Sequence, residues 1–423
     1  MKELRSRAGI SACGAIAGAL IAALPVWGAG AQFSGGGYFK SYLYSLEPAK
    51  VRDFPLDQPG GAYAVTEEKL RLKTLWDGGR GVKAEAAYEL IFTGRKSGLA
   101  RARPLIGGLG DNYRVADTGR FLSPASGGSS ASSALAQDLD RVFVTWSPSG
   151  FDLYAGRQPL AFGSARTVNP TDVLAPYPYG TLDTEERRGV DALRIKLPWQ
   201  EMGELDAGWL PARAFAARKG AGFVRVRRKL GASDLTLISA AFRGNLMAGA
   251  DIERPAGGTM LRLEAAQCWA GSFSGRSTGE DFFRLSAGGE YNFGILGGLD
   301  TWLEYHYNGA GAASKTGYAS RGTRAAYREA GVYLLGRNYL SAGAAAQVSA
   351  LVNASATLIT NLGDRSFYAI PSVEWNASQD LYLSTGALFP FGQEAAFRAG
   401  AAEPASEFGL YDKALYASLR KYF

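Results

Sequence analysis

Histidine occurs once and cysteine twice in the 423 residues. Zinc clusters and disulfide frameworks therefore lack their ligands. Beyond residue 32 no run of 18 apolar residues occurs, which argues against membrane helices. There is no G-x-G-x-x-G, no P-loop, no domain linker and no repeat longer than a strand period. Acidic residues are the scarcer charge, 39 against 46 Lys and Arg, for a net of +7. What is abundant is glycine, 55 residues, with Tyr and Phe at 21 each. Mean hydropathy lies near zero. Such a chain is too apolar and aromatic to be disordered, and it suits strands with one apolar face.

The N-terminus reads as a processed segment. Lys2, Arg5 and Arg7 precede an apolar stretch from Ile10 to Trp27, and Ala29-Gly30-Ala31 offers an A-x-A cleavage site. This is the layout of a secretory signal peptide over residues 1–31, with an uncleaved anchor as the alternative. Cleavage leaves residues 32–423 as a single barrel domain with 43 basic and 38 acidic residues, a net of +5. Cys268 then has no partner for an internal disulfide.

The rest alternates with period two. Leu70, Leu72, Thr74 and Trp76 interleave with Lys69, Arg71 and Lys73. After Asp77-Gly78-Gly79-Arg80, the residues Val82, Ala84, Ala86, Tyr88, Leu90 and Phe92 interleave with Lys83, Glu85 and Glu89. That is a hairpin signal. Strands at 36–46, 66–77, 80–93, 138–147, 150–162, 189–199, 203–211, 221–230, 233–242, 245–253, 259–270, 281–294, 298–308, 337–347, 351–361, 366–376, 379–391 and 412–423 follow the same rule. Their length of about ten residues is what a tilted strand needs to cross a bilayer. Full charges sit in mid-strand on the polar phase, as a wet lumen tolerates. Connections sort by parity: those near 47–65, 94–137, 163–188, 212–220, 271–280, 309–336 and 392–411 are long, and the alternate ones are tight turns. A β-sandwich has no reason to sort its loops this way. The expected fold is an all-β transmembrane antiparallel up-and-down barrel of about eighteen strands, with sixteen as the alternative.

The last strand carries Leu415, Ala417, Leu419 and Phe423 on one phase. An amphipathic strand ending on an aromatic residue resembles the terminal strand that outer-membrane assembly machinery reads. Residues Gly156-Arg157-Gln158, Asn169-Pro170-Thr171-Asp172 and Glu185-Glu186-Arg187-Arg188-Gly189-Val190-Asp191-Ala192-Leu193-Arg194 form the most distinctive pattern. It resembles uncharacterised porin-like outer-membrane proteins of Gram-negative bacteria with a GRQ…NPTD…EER-GVDALR signature. That resemblance implies a barrel in the cell outer membrane rather than a particular substrate.

Candidate functional residues fall in two groups. Residues 163–188 form a proline-stiffened loop that is a candidate pore constriction. It carries Asp172, Asp183, Glu185 and Glu186, then Arg187 and Arg188, and its acidic groups would face wall arginines such as Arg157 and Arg194. Opposed charges across a pore orient polar solutes; the same residues also suit a salt-bridge knot that fixes the loop. Arg157 shares parity with Leu153 and Ala155, so either a bulge near Gly156 flips its phase or the strand leaves the membrane there. The second group lines the lumen. Lys69, Arg71, Lys73, Lys196, Arg225, Arg227, Arg262 and Arg284 lie on polar phases, where pointing into lipid would cost about 2–4 kcal/mol each. Glu85, Glu89, Glu264, Glu290 and Glu304 offset most of that charge, leaving a mildly basic, mixed-charge lumen.

His306 shares a phase with Asp300, Trp302 and Glu304, where it reads as a hydrated lumen residue; the alternative is the base of a membrane-rim hydrolase. Cys268 reads as an inert small residue. The expected function is passive diffusion of small hydrophilic solutes, without catalysis, metal or cofactor. The runner-up is a substrate-specific or polysaccharide-export channel. Expected partners are outer-membrane lipids, the barrel-assembly machinery through Phe423, and the solutes themselves. Nucleic acid is not expected, and a homotrimer is left open.

Overall fold

The computed structural model describes residues 31–55, 61–95, 113–117, 121–123, 132–176, 183–199, 202–216, 219–273, 280–295, 297–398 and 400–423. The signal-peptide reading, up to residue 30, lies outside the described residues.

Eighteen antiparallel strands close into one barrel. They are β1 (Gln32–Glu47), β2 (Tyr63–Gly79), β3 (Val82–Arg95), β4 (Ser133–Trp146), β5 (Asp152–Gln158), β6 (Val190–Trp199), β7 (Gly203–Leu210), β8 (Ala221–Leu230) and β9 (Ser233–Phe242) in the first half. The second half comprises β10 (Asn245–Ala256), β11 (Thr259–Trp269), β12 (Phe282–Phe293), β13 (Leu299–Asn308), β14 (Asn338–Ser349), β15 (Val352–Asn361), β16 (Phe367–Ser378), β17 (Leu381–Phe391) and β18 (Lys413–Tyr422). Each strand pairs with its neighbours in sequence. Closure comes from β1, which pairs with β2 on one side and β18 on the other, from Tyr38 opposite Tyr422 to Glu47 opposite Lys413. Every strand expected from the alternation is present, so eighteen replaces the alternative of sixteen. Two-residue links such as Gly257-Gly258, both at positive φ, join strands at one end. The long connections gather at the other.

Alternation decides which way the side chains face. On β11, Leu261, Leu263 and Trp269 are exposed on the outer surface, while Glu264, Ala266 and Cys268 are buried inside. On β13, Leu303 is exposed and Glu304, His306 and Asn308 are buried. Leu72, Leu193, Trp209, Val224, Leu237, Val373, Trp375 and Leu415 continue the exposed apolar surface around the barrel. No helix among the described residues is long and apolar enough to cross a membrane.

One irregularity re-aims charges. In β4, Arg141 pairs with Ala87 and Leu139 with Tyr88, leaving Asp140 as an extra residue. The bulge lets the adjacent Asp140 and Arg141 both turn to the buried side, at 2% and 9% exposure. The chain's end is tied in: Gly37 donates to the Phe423 carbonyl at 2.8 Å and Phe423 donates back at 3.1 Å. At the long-loop end, Val51–Arg52 pairs with Ala395–Arg398, which pairs with Ala401–Glu403.

The barrel encloses two buried apolar clusters. One gathers Leu160, Phe162, Val173 and Leu174 against Phe223, Ile238 and Met247 of the wall. The other gathers Val168, Leu334 and Phe408, from three different connections, against Tyr42, Tyr44, Leu46, Tyr339 and Ile359. Long connections thus fold back and fill much of the loop-end interior.

Candidate functional site

The connection between β5 and β6 leaves the barrel rim and turns inward. Its first arm lies against β10–β13. Glu264 is fully buried and accepts from the backbone N–H groups of Ser164 and Ala165, each at 3.1 Å, and of Thr171 at 2.8 Å. The Thr171 hydroxyl donates to the same carboxylate at 2.7 Å. Two strands away, Glu304 accepts from Arg166, Thr167 and Val168 at 2.7, 3.1 and 3.4 Å. Consecutive N–H groups of a turned backbone form a concave anion seat, and here the anions belong to the wall. Arg284 donates to the Asn169 and Pro170 carbonyls, both at 3.4 Å. The Ser286 hydroxyl donates to the Val168 carbonyl at 2.6 Å.

His306 Nδ1 lies 2.8 Å from that Ser286 hydroxyl, with the imidazole 1% exposed. Since Ser286 gives its proton to Val168, it is left to accept from Nδ1. The arrangement pins the loop. The structure therefore places Glu264, Arg284, Glu304 and His306 behind the loop instead of on open water.

The second arm, residues 183–189, meets β1, β2 and β4. Lys40 donates to Asp183 at 2.8 Å and to Glu185 at 2.7 Å. Tyr422, one residue from the C-terminus, donates to Glu185 at 2.7 Å, so the loop reaches toward the tight-turn end. Lys69 lies 3.8 Å from Asp183, and Arg71 lies 3.9 Å from Glu186, which also pairs with Arg141. Arg188 sits 3.5 Å from Asp138, and Arg187 pairs with Asp172 of the first arm. Burial pushes the Asp183 carboxyl up, but Lys69 and Lys40 outweigh it and hold the group below its ordinary range. Burial likewise raises Glu185, and the hydrogen bonds from Lys40 and Tyr422 bring it below. For Asp172 burial wins over Arg187, and its carboxyl is raised.

The cations facing the loop carboxylates are thus Lys40, Lys69, Arg71 and Arg141, not Arg157 and Arg194. Arg194 pairs with Asp206 of β7 at 2.6 Å. Arg157 keeps its outward-phase register opposite Val142 and Asp191, with no extra residue inserted at Gly156. Gly156 itself has φ 121°, and a Cβ there would lie 2.3 Å from the Val142 carbonyl oxygen. Arg157 binds Asp191 at 2.7 Å and the carbonyls of Leu139 and Ala116 at 2.8 and 2.7 Å. Residues 115–117 cover it at the rim, so neither expected alternative describes it fully.

Most remaining lumen residues are paired along the wall. Lys69 meets Glu89 at 3.2 Å, Lys73 meets Glu85 at 3.4 Å, and Arg71 meets Asp140 at 2.8 Å. Lys196 lies 3.4 Å and Arg225 3.1 Å from Glu204. Arg262 bridges Glu253 and Glu290 at 3.1 and 2.7 Å, and Arg166 joins Glu290 at 2.7 Å. Arg227 is exposed, opposite Glu204 and Thr236 in register. Cys268 is buried on the inner phase. Among the described residues no group of three or more His, Cys, Asp or Glu is placed to hold a metal ion.

A second junction joins two other connections. Glu407, in the link between β17 and β18, is fully buried. It accepts from the Leu335 and Gly336 N–H groups of the β13–β14 link at 2.9 and 3.3 Å, from Asn361 at 2.7 Å, and from the Tyr339 hydroxyl. Burial raises its carboxyl to about 7 despite those donors.

Open space remains beside the second arm. A cavity of about 630 Å³ lies between Asp183 and Glu185 of the loop and Glu374, Tyr382, Arg420 and Tyr422 of the wall. A space of about 270 Å³ borders Glu186, Arg71 and Lys73, and one of about 400 Å³ borders Asp300 and Glu374. Sequence reasoning missed Lys40, Asp140, Arg141, Glu374 and Glu407. Lys40 and Glu374 sit on legible inward phases; the bulge and the chain reversals hid the others.

No family model matches the sequence, and no curated protein matches it. Its fold does have likenesses among solved structures. Acinetobacter baumannii OccAB1 aligns with a TM-score of 0.55 at 9% identity, over 92% of this chain and 96% of that one. Pseudomonas aeruginosa OccD3 (OpdP) aligns with a TM-score of 0.51 at 9% identity, over 92% and 91%. The outer membrane protein opdK from Pseudomonas aeruginosa aligns with a TM-score of 0.50 at 9% identity, over 92% and 99%. At such identities the likeness is one of fold, an eighteen-strand closed barrel.

Proposed function

We propose that the protein is an outer-membrane channel for passive diffusion of small hydrophilic solutes, narrowed by the 163–188 loop. The observation that carries this reading is the inversion of the usual protein plan: apolar side chains cover the outside of a closed cylinder, and charged ones surround polar cavities within it. In water that exterior would be an aggregation surface; in lipid it is the favourable solvent contact. Eighteen strands enclose more space than wall side chains alone fill, which leaves room for infolded loops and water.

In this reading residues 1–31 direct export, Phe423 and its strand present the chain to the assembly machinery, and outer-membrane lipids surround the barrel. The lumen has mixed charge, and most of its Lys and Arg are neutralised by neighbouring carboxylates. The infolded loop is the selective element, held by Glu264, Arg284, Ser286 and Glu304 on one side and by Lys40, Lys69, Arg71 and Arg141 on the other. Planar-bilayer recording of the purified, folded protein tests the proposal. Discrete conductance steps are expected; their absence from correctly folded protein overturns it.

A further inference from the structure

The largest open space inside the barrel borders one side of the wall, and the charge facing that space differs from the charge of the chain. The first arm of the 163–188 loop lies against β10–β13. The larger cavity lies across from it, between the second arm and a wall of β1 and β16–β18. Asp183, Glu185, Glu374 and Asp380 line that cavity against a single cation, Arg420. The adjoining spaces add Glu186 and Asp300 against Arg71 and Lys73.

Ion pairing does not cancel this excess, because the pairs are oriented. Lys40 has 0% of its side chain exposed where its partner Glu185 has 39%. Arg71 has 1% exposed where Glu186 has 21%. Arg420 has 21% and its partner Glu374 has 34%. In each of these three pairs the cation is sunk behind the carboxylate, which meets the open space first; Lys73, 34% exposed against 15% for its partner Glu85, is the reverse case and faces the smallest of the three spaces. Tyrosine faces cover two of the cations further: the Lys40 amino group lies 4.3 Å from the Tyr38 ring centre, and the Arg420 guanidinium 5.7 Å from that of Tyr382. At a distance of about 8 Å in water, one such carboxylate changes the local concentration of a monovalent ion by about twofold at low salt.

We infer that the lane between the loop's second arm and β16–β18 passes small cations in preference to anions, although the chain as a whole carries a net charge of +7. The inference rests on the channel reading above. It names a solute class, inorganic monovalent cations and small ammonium ions, that the composition argues against.

The test is the reversal potential of the full-length protein in neutral-lipid planar bilayers under a potassium chloride gradient, repeated with methylammonium chloride. A cation preference is expected with both salts. Glu185→Gln and Glu374→Gln should each lower the permeability ratio by about twofold at low salt. Asp300→Asn, outside the loop's ion pairs, should act the same way without disturbing the loop, and Lys73→Gln should raise the ratio. A heat-modifiable gel shift establishes that each variant is folded. Chloride preference in the native protein, or an unchanged ratio in folded E185Q, E374Q and D300N, overturns the inference while leaving the channel intact. Absence of any conductance from folded protein removes the channel reading and this inference with it.

Discussion

Thr171 gives both its backbone N–H and its hydroxyl to Glu264 Oε1, at 2.8 and 2.7 Å. A loop residue and a strand residue 93 positions apart in sequence are thus joined twice at one oxygen. Replacing Glu264 by Ala leaves the donors of Ser164, Ala165 and Thr171 without their acceptor, at about 1–3 kcal/mol for each that stays buried. The expected outcome is a loop detached from β11, with larger single-channel conductance and faster proteolysis within 163–176. Unchanged conductance in folded E264A would mean that the loop does not narrow the path.

Glu407 supplies a pH dependence. Its carboxyl is raised from 4.5 to about 7, so the docked state favours the protonated form. That contribution is fully present below about pH 4.5 and declines as the pH rises toward 7. The amides of Leu335 and Gly336 should therefore be better protected from hydrogen exchange at pH 5 than at pH 8, after correction for intrinsic rates. Glu407→Gln should flatten the difference. Equal protection across that range in the native protein would contradict the assignment.

Arg157 and Arg194 separate structure from permeation. Arg157 is 5% exposed and holds Asp191, so Arg157→Ala should cost on the order of 3–5 kcal/mol by stranding a buried carboxylate. Denaturant unfolding in detergent measures this, and ion selectivity should stay unchanged. A selectivity shift in folded R157A would return the residue to the pore.

The outer surface is tested by Leu263→Arg, at a site 43% exposed on the outer phase of β11. On a surface facing water this change is close to neutral. Facing lipid it should cost about 2–4 kcal/mol at mid-membrane, measured by urea unfolding from lipid vesicles.

Much of this architecture was legible in the chain because a period of two reports directly on two solvents. Leu261 and Leu263 against Arg262 and Glu264 already separate an oily side from a wet one, without reference to any other strand. Loop lengths added the sense of crossing, since only an up-and-down barrel sorts them by parity. The site was legible only in part. Asp183, Glu185 and Glu186 were identifiable as loop carboxylates, but their partners Lys40 and Arg141 were not. Ion pairing between residues 143 positions apart leaves no local pattern.

Alternation and loop lengths therefore determined where the strands run, most of their facing and a number near eighteen, because each follows from contacts between a residue and its immediate surroundings. Only the tertiary structure decided where the loops go. The bulge at Asp140, the return of residues 164–171 to Glu264 and Glu304, and the sinking of Lys40 behind Glu185 depend on groups that meet when the cylinder closes. A charge count along the chain weighs all ions equally; the folded barrel weighs them by their distance from water, and that ordering exists only in three dimensions.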